Sequence, residues 1–346
     1  MAGKKRINLA LQGGGAHGAF TWGVLDRLLS EPDLEIAGIS GTSAGALNGA
    51  ALKAGMIEGG AQGARARLNW LWEEIGARPD MDIPQWMTPF PLSTISRTLE
   101  YSLPFMAADT WSRTVSPYAY GAFYSNPIRP IVEQFNYDKV CAEKGDGPDL
   151  FICATNVRTG KVRVFKDSEI STDVILASAC LPTMFQAVSV TDPKTGTTDD
   201  YWDGGYTGNP ALFPLFHEPL PEDIVVVNIN PLERSETPRT AQAIQNRINE
   251  ISFNSSLLRE LRAIEFVQRL IADGKVKQGE MRRVLVHMIA DDALMNELSV
   301  ATKLIPTPYT LARLKEAGQR AADDFLAHHK QDLNERSSVE LVEMFQ

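Results

Sequence analysis

The sequence predicts an α/β fold, in which a central and mostly parallel β-sheet is flanked by helices. Apolar runs of strand length occur at residues 7–11, 36–40 and 223–228. The first two runs are each followed by a glycine-rich turn and an apolar segment of helical length. This alternation is typical of parallel sheets whose strands are joined by helices. The 346 residues, of which 44% are hydrophobic, suffice for a large core in one or two domains.

The first predicted strand leads directly into a glycine-rich loop that precedes an apolar helix. In this loop Gly13, Gly15 and Gly18 match the Gly-x-Gly-x-x-Gly pattern of dinucleotide-binding turns. Dinucleotide binding also requires an acidic residue at the end of the second strand, whereas Asp33 and Glu35 precede that strand. The loop is equally suited to offer backbone N–H groups to an oxyanion, which an acyl-transfer site requires.

The second predicted strand ends in the sequence Gly41-Thr42-Ser43-Ala44-Gly45, and a helix of small residues follows at once. A Gly-x-Ser-x-Gly sequence between a strand and a helix is typical of a nucleophile elbow, a sharp turn that exposes the serine hydroxyl. The alternative is that Thr42 or Ser43 only caps the helix. Because both loops follow adjacent parallel strands, we expect them to lie side by side at the carboxyl edge of the sheet.

The pattern changes after Gly59 and Gly60. Residues 60–125 contain many prolines, no lysine and four of the six tryptophans, namely Trp70, Trp72, Trp86 and Trp111. Apolar residues at helical spacing between Leu92 and Leu103 predict a helix that Pro104 limits. We interpret residues 60–125 as a cap inserted over the site. This cap would be either a lid that contacts lipid or a small additional core that covers the sheet edge.

The regular pattern resumes after the cap. The remaining predicted elements are strands at 150–154 and 161–165, a short helix at 172–180, a strand at 223–228, a long amphipathic helix that ends near Gly274, a strand at 283–289 and a last helix at 311–329. The acidic segment 331–346 is predicted to be frayed.

Asp203 is a further candidate site residue, in the sequence Asp200-Tyr201-Trp202-Asp203-Gly204-Gly205-Tyr206. Asp-Gly is an ordinary turn signal. The neighbouring aromatic residues, however, predict a carboxylate that is partly shielded from water. Such shielding raises the basicity of a carboxylate, as a general base requires.

In their order along the chain, the segments 13–18, 41–45 and 203–205 resemble the three signature motifs of the patatin-like phospholipases. The small-residue segment 177–182 is similar to an additional segment of that family. The resemblance covers about residues 5–230. It implies a three-layer patatin-like fold, with an α/β catalytic core over 5–230 and a C-terminal extension over 231–330 packed on it.

The resemblance also implies a function, the cleavage of carboxylic ester bonds of lipids through an acyl-enzyme. By position, Ser43 would be the nucleophile, Asp203 the base and the backbone of Gly13, Gly14 and Gly15 the oxyanion hole. The motif-supporting residues would be Gly18, Gly41, Gly45, Gly204 and Gly205. His17 stands where many members carry Arg or Lys. Acyl transfer to an alcohol other than water, and a dinucleotide-binding module, are the alternatives. No cofactor is implied, and no His/Asp/Glu cluster has the spacing of metal ligands.

A conventional triad in the order Ser, acid, His would need a histidine after Asp203. The four candidates are His217, His287, His328 and His329. His217 lies in a proline-rich loop, the last two close a surface helix, and His287 lies in a strand-like apolar run that favours a core position. The sequence therefore favours a Ser–Asp dyad over a triad.

Charge and cysteine content limit the partners and the compartment. The net charge of −9 disfavours nucleic acid and strong electrostatic capture by anionic membranes. Three cysteines without metal-type spacing indicate a reducing compartment. No secretory signal and no apolar run of membrane-spanning length is present. We therefore expect a cytoplasmic protein that acts on a lipid or another ester, in solution or bound peripherally to a membrane. The oligomeric state is not predicted.

Overall fold

The computed structural model describes residues 4–78, 83–141, 146–234, 237–277 and 279–345. Within these ranges one sheet contains the strands β1 (Lys5–Leu11), β2 (Leu34–Gly41), β3 (Asp149–Asn156), β4 (Val162–Lys166), β5 (Val188–Thr191), β6 (Thr198–Asp203), β7 (Asp223–Asn228) and β8 (Leu285–Ala290). The spatial order is β5-β6-β3-β2-β1-β7-β8, and β4 pairs with β3. In this spatial order the five strands β3, β2, β1, β7 and β8 are parallel. Strands β4, β5 and β6 pair antiparallel. The predicted mostly parallel sheet is confirmed.

The helices of the same ranges are α1 (Gly18–Leu28), α2 (Ala44–Gly76), α3 (Leu92–Glu100), α4 (Leu103–Thr114), α5 (Arg129–Val132), α6 (Tyr137–Val140), α7 (Thr172–Ser178), α8 (Ala241–Ala272), α9 (Asp292–Glu297), α10 (Val300–Leu304) and α11 (Pro308–His329). Helix α2 is broken at Gly59 and Gly60, which have non-helical backbone angles. Gly60 has a φ of +60°, which glycine adopts without steric cost. The change in pattern at these glycines is therefore a break between two helices.

The two faces of the sheet are both covered, because alternate side chains of a strand point to opposite faces. On β1, Leu9 and Leu11 join the core with α1, α2 and α11. Ala10 points the other way and joins a second core with Leu257 and Leu261 of α8. The architecture is therefore helix, sheet, helix, in three layers.

The segment after residue 230 continues the same architecture. β8 pairs with β7 in parallel register and extends the sheet. Helix α11 lies against α1, and Gly318 permits the close approach, since a Cβ there would overlap the carbonyl of Phe20. A domain boundary between residues 230 and 231 stays a prediction.

The expectation of a frayed tail over residues 331–346 is wrong for the described part, which ends at 345. Leu333 and Leu341 are buried, and Asn334 Nδ2 donates to Asp223 Oδ2 at 2.8 Å. The acidic residues of the segment suggested fraying, but the burial of its two leucines favours an ordered segment.

The segment interpreted as a cap divides into two parts. Residues 61–76 continue α2, and Leu71 and Trp72 are buried in the main core. The predicted insertion therefore starts too early, since these residues belong to the core. Residues 83–123 contain α3, α4 and short 3-10 turns, whereas residues 79–82 lie outside the described ranges. No helix in the described part of the chain is long and apolar enough to cross a bilayer.

Candidate active site

Ser43 occupies a strained turn between β2 and α2. Its backbone angles are φ 54° and ψ −119°, in a region that residues other than glycine rarely adopt and that is found mostly at functional sites. The Ser43 side chain makes no hydrogen bond that caps the helix. The Thr42 hydroxyl donates to the carbonyl of Gly208 at 2.6 Å instead. The alternative in which one of these residues only caps the helix is therefore wrong.

The glycines on either side of Ser43 permit close backbone contacts. A Cβ at Gly45 would overlap the carbonyl oxygen of Leu11, at the end of β1. A Cβ at Gly41 would meet the backbone of Gly45 at 2.5 Å. The turn is therefore packed between two elements that leave no room for a side chain at either position.

The glycine-rich loop after β1 lies against the same turn. A Cβ at Gly13 would stand 2.7 Å from the Ser43 Cβ, and the Gly13 N–H donates to Asn209 Oδ1 at 2.7 Å. The Gly13 N–H is therefore already engaged, and the expected oxyanion hole of Gly13, Gly14 and Gly15 stays a prediction. Among the described residues, nothing accepts from the N–H groups of Gly14 and Gly15, and both glycines line the cavity that contains Ser43.

Asp203 ends β6 and its side chain is almost fully buried, with 1% of its surface exposed. Its Oδ1 accepts from the Gly205 N–H at 2.8 Å, whereas Oδ2 has no hydrogen-bond partner among the described residues. Burial raises the pKa of Asp203 to about 7. The Gly205 N–H and the nearby Ser43 hydroxyl oppose this shift, although no hydrogen bond of normal geometry joins the Ser43 and Asp203 side chains. A carboxyl with this pKa changes charge near neutral pH, as a general base must.

Ser43 and Asp203 line one cavity of about 580 Å³. Most of its wall is apolar, with Leu47, Trp72, Ile75, Ile128, Ile131, Leu181 and Phe185 among the lining residues. The polar lining includes Asn230, Glu250 and Lys303. A mostly apolar cavity with a few polar groups suits an amphiphilic ligand.

The histidines do not complete a triad with Ser43 in the described structure, because none of them lines this cavity. His287 is fully buried between Asp223 Oδ1 at 2.9 Å and Ser338 Oγ at 3.1 Å. Asp223 begins β7, whereas the Ser43 turn follows the end of β2. This second set of Ser, His and Asp therefore lies at the opposite edge of the parallel strands, as part of the core.

His17 is buried, and a hydrogen bond of 2.8 Å joins its Nε2 to Thr302 Oγ1. Burial lowers its pKa well below the usual range, and Lys303 and Arg234 lower it further. The imidazole is therefore neutral at physiological pH. The basic residue that packs against the loop is Lys303, whose backbone contacts Gly15, and the sequence did not predict it.

Two further residues support the turn and were not predicted individually. Ser178 Oγ accepts from the Ser43 N–H at 2.9 Å and donates to the Cys153 carbonyl at 2.6 Å. Asn209 binds Gly13, as described above. Ser178 lies in the small-residue segment 177–182, which the sequence had indicated as part of the family resemblance. No sequence pattern indicated Asn209, because it reaches the loop only through tertiary packing. No group of three metal-ligating side chains occurs among the residues that the structure describes.

Solved structures share low sequence identity with this chain. VipD from Legionella pneumophila is 14% identical with a TM-score of 0.41, and the match covers 94% of this chain and 67% of that chain. The heterodimeric ExoU–SpcU complex from the type III secretion system of Pseudomonas aeruginosa is 14% identical with a TM-score of 0.37, and the match covers 96% of this chain and 52% of that one. This chain therefore spans about two thirds and about half of those chains.

No curated protein sequence matches this chain significantly. The family model described as patatin-like phospholipase matches residues 9–216. This range includes the glycine-rich loop, the Ser43 turn and the Asp203 segment, and it is more than half of the chain. The chain belongs to the patatin-like phospholipase family.

Proposed function

We propose that this protein is a serine acyl hydrolase that cleaves carboxylic ester bonds of lipids through a Ser43–Asp203 dyad. The observation that carries the proposal is the pairing of a strained Ser43 with a buried Asp203 in one largely apolar cavity. The raised pKa of Asp203, about 7, supports its role as the base. Family membership supports lipid ester chemistry.

In this mechanism the Asp203 carboxylate takes the hydroxyl proton of Ser43 while Oγ attacks the ester carbonyl carbon. The N–H groups of Gly14 and Gly15 donate to the oxyanion that forms, which stabilises the transition state. The intermediate collapses, the C–O bond breaks, and Asp203 returns the proton to the leaving alcohol. Water then attacks the acyl-enzyme, again with Asp203 as base, and releases the fatty acid and free Ser43.

Two alternatives differ in their products or ligands. Acyl transfer uses the same dyad but gives the acyl group to an alcohol other than water, so product analysis with an added alcohol separates it from hydrolysis. A dinucleotide-binding module would bind nucleotide through the glycine-rich loop. β2 runs directly into the Ser43 turn and offers no carboxylate at its end for a ribose, which favours the esterase.

Covalent labelling tests the proposal most directly. A fluorophosphonate probe should add one adduct to the intact protein and none to Ser43→Ala. Ser30→Ala is the control and should be labelled like the wild type, because Ser30 is exposed and does not line the cavity. An adduct of equal yield on the Ser43→Ala protein would refute Ser43 as the nucleophile.

A further inference from the structure

Three cationic side chains surround a single carboxylate near the candidate active site. Arg234 contacts Glu250 through Nη2–Oε1 at 2.6 Å and Nε–Oε2 at 3.2 Å. Arg247 Nη1 lies 3.3 Å from Glu250 Oε2, and Lys303 Nζ lies 3.9 Å from Oε1. We call Arg234, Arg247 and Lys303 the basic cluster. The two arginines alone exceed the charge of this carboxylate by one, and Lys303 adds a further positive charge when it is protonated.

This excess is unusual because the groups are mostly removed from water. The exposed fractions of the side chains are 23% for Arg234, 22% for Arg247, 16% for Lys303 and 8% for Glu250. Partial burial makes an unpaired charge costly, and the protein as a whole is acidic, with a net charge of −9. Burial lowers the pKa of Lys303, with Glu250 opposing the shift. A bound anion would relieve both effects.

The basic cluster connects two cavities. Glu250 and Lys303 line the apolar cavity that contains Ser43. Glu250 and Arg247 also line a second, more polar cavity of about 810 Å³. The other charged residues of that second cavity balance each other, since two arginines, Arg97 and Arg239, lie with two glutamates, Glu100 and Glu297. The positive excess is therefore concentrated at the junction, next to the space for an acyl chain.

We propose that the basic cluster binds a phosphate group at the junction of the two cavities, as the headgroup of the lipid ester that Ser43 attacks. The inference rests on the proposed function, since it places the acyl chain beside Ser43 and the headgroup beside Arg234 and Arg247. Guanidinium groups match phosphate oxygens with paired N–H donors, and such charge-assisted bonds are strong. The Asn230 side chain accepts from Lys303 Nζ at 3.1 Å and donates to the Gly13 carbonyl at 2.7 Å, which links the cluster to the glycine-rich loop.

The test compares two esters that differ only in the phosphate, 1,2-dihexanoylglycerol and its 3-phosphate, below the concentration at which they aggregate. The wild-type protein should prefer the phosphate ester in kcat/KM. Arg247→Gln should reduce this preference at least about tenfold, the loss expected for one charge-assisted hydrogen bond. Arg269→Gln is the matched control, on the same helix but 60% exposed, and it should keep the preference. Melting temperatures and fluorophosphonate labelling show that each variant is folded and has a reactive Ser43.

Added inorganic phosphate distinguishes the two sources of the anion. If the lipid supplies the phosphate, inorganic phosphate competes only weakly, and the preference for the phosphate ester is lost in Arg247→Gln. If free phosphate is the ligand, millimolar phosphate raises the melting temperature of the wild type but not of Arg247→Gln, and the two esters have the same kcat/KM. This result would keep the phosphate site but overturn its assignment to the headgroup. Equal kcat/KM for the two esters with no effect of phosphate would overturn the inference entirely. Labelling of Ser43 in that case would leave the proposed function standing.

Discussion

The Ser43 turn and the helices α3 and α4 are built on opposite principles. Around Ser43 the backbone is so close-packed that a methyl group at Gly45 would overlap the end of β1. In residues 83–123, by contrast, large apolar side chains are left in water, with 82% of Leu103 and 70% of Trp86 exposed. The Ser43 turn therefore has a fixed geometry, whereas residues 83–123 expose an apolar surface suited to contact with another molecule.

Each arrangement carries a cost that suggests a function. A serine at positive φ and a buried carboxyl both lower stability, as is typical of reacting groups held in place by their surroundings. Exposed apolar surface costs about 25 cal/mol per Å² relative to burial, and a lipid interface would remove that cost. Substitutions in each region test whether the fixed geometry around Ser43 and the exposed apolar surface serve separate functions.

The largest effect is expected at the nucleophile. Ser43→Ala should reduce hydrolysis of a short-chain ester by about a thousandfold or more, because Ser43 is the only hydroxyl side chain among the described residues that line the cavity. The fold should persist, since the substitution removes only a hydroxyl. Steady-state hydrolysis and a melting curve measure the two outcomes. A folded mutant with a tenth of the wild-type activity would contradict the assignment.

Asp203→Asn should be nearly as damaging, because partners that act as a unit give non-additive losses. The base must be ionised, so the wild-type kcat/KM should fall as the pH drops below about 7, the pKa to which burial raises Asp203. His217→Ala is the control and should leave turnover within about threefold, since His217 is exposed and lies outside the cavity. A loss as large as that of Asp203→Asn would indicate a triad.

Asp203→Asn should lower activity but raise stability at alkaline pH. The pKa of Asp203 is raised in the folded protein above the value of about 3.9 for an unfolded chain. Its stabilising contribution is therefore complete below that unfolded value and is lost as the pH rises through about 7. Asp203→Asn should consequently raise the melting temperature at pH 8 and change it little at pH 4. A melting temperature that falls at pH 8 would show that the ionised carboxylate stabilises the site.

Gly45→Ala tests the close packing itself. Its methyl group would overlap the carbonyl of Leu11, so we expect a loss of about 2–4 kcal/mol in the free energy of unfolding. The matched control is Gly59→Ala at the break of α2, where the added methyl group meets nothing within 4 Å and the φ of −161° is open to any residue. Chemical denaturation of the two variants gives the comparison. Equal stabilities would mean that the turn can shift to accept a side chain.

The sequence predicted the Ser43 turn well because its determinants are local. The glycines, the serine and the strand before them lie within a few residues, and the backbone strain follows from that pattern. Arg234, Arg247 and Lys303 were not predicted, because they lie on separate segments, after β7, on α8 and on α10, that meet near the cavity only in the folded chain. No spacing along the chain reveals such a meeting.

Helical spacing gave an incomplete account of residues 83–123. It identifies the apolar residues that share a face but not whether another element covers that face. In the sequence, Met87, Leu92 and Ile95 are as apolar as Trp86 and Phe90. The first three are buried, whereas 70% of Trp86 and 47% of Phe90 are exposed. The segment therefore combines a small buried core with an exposed apolar surface, and contact of that surface with lipid stays a prediction.

The smallest effect is expected at this apolar surface. We predict that Trp86→Ala combined with Phe90→Ala lowers activity on phospholipid vesicles about fivefold to tenfold, because less apolar area enters the interface. Activity on a monomeric short-chain ester and the melting temperature should stay close to wild type. Ile95→Ala is the matched control, since Ile95 is fully buried in the small core with Met87 and its loss should lower the melting temperature. Vesicle assays, monomer assays and melting curves on both variants separate contact with lipid from support of the fold. Equal losses on both substrates, together with a lower melting temperature for the double variant, would assign Trp86 and Phe90 to the core of the cap.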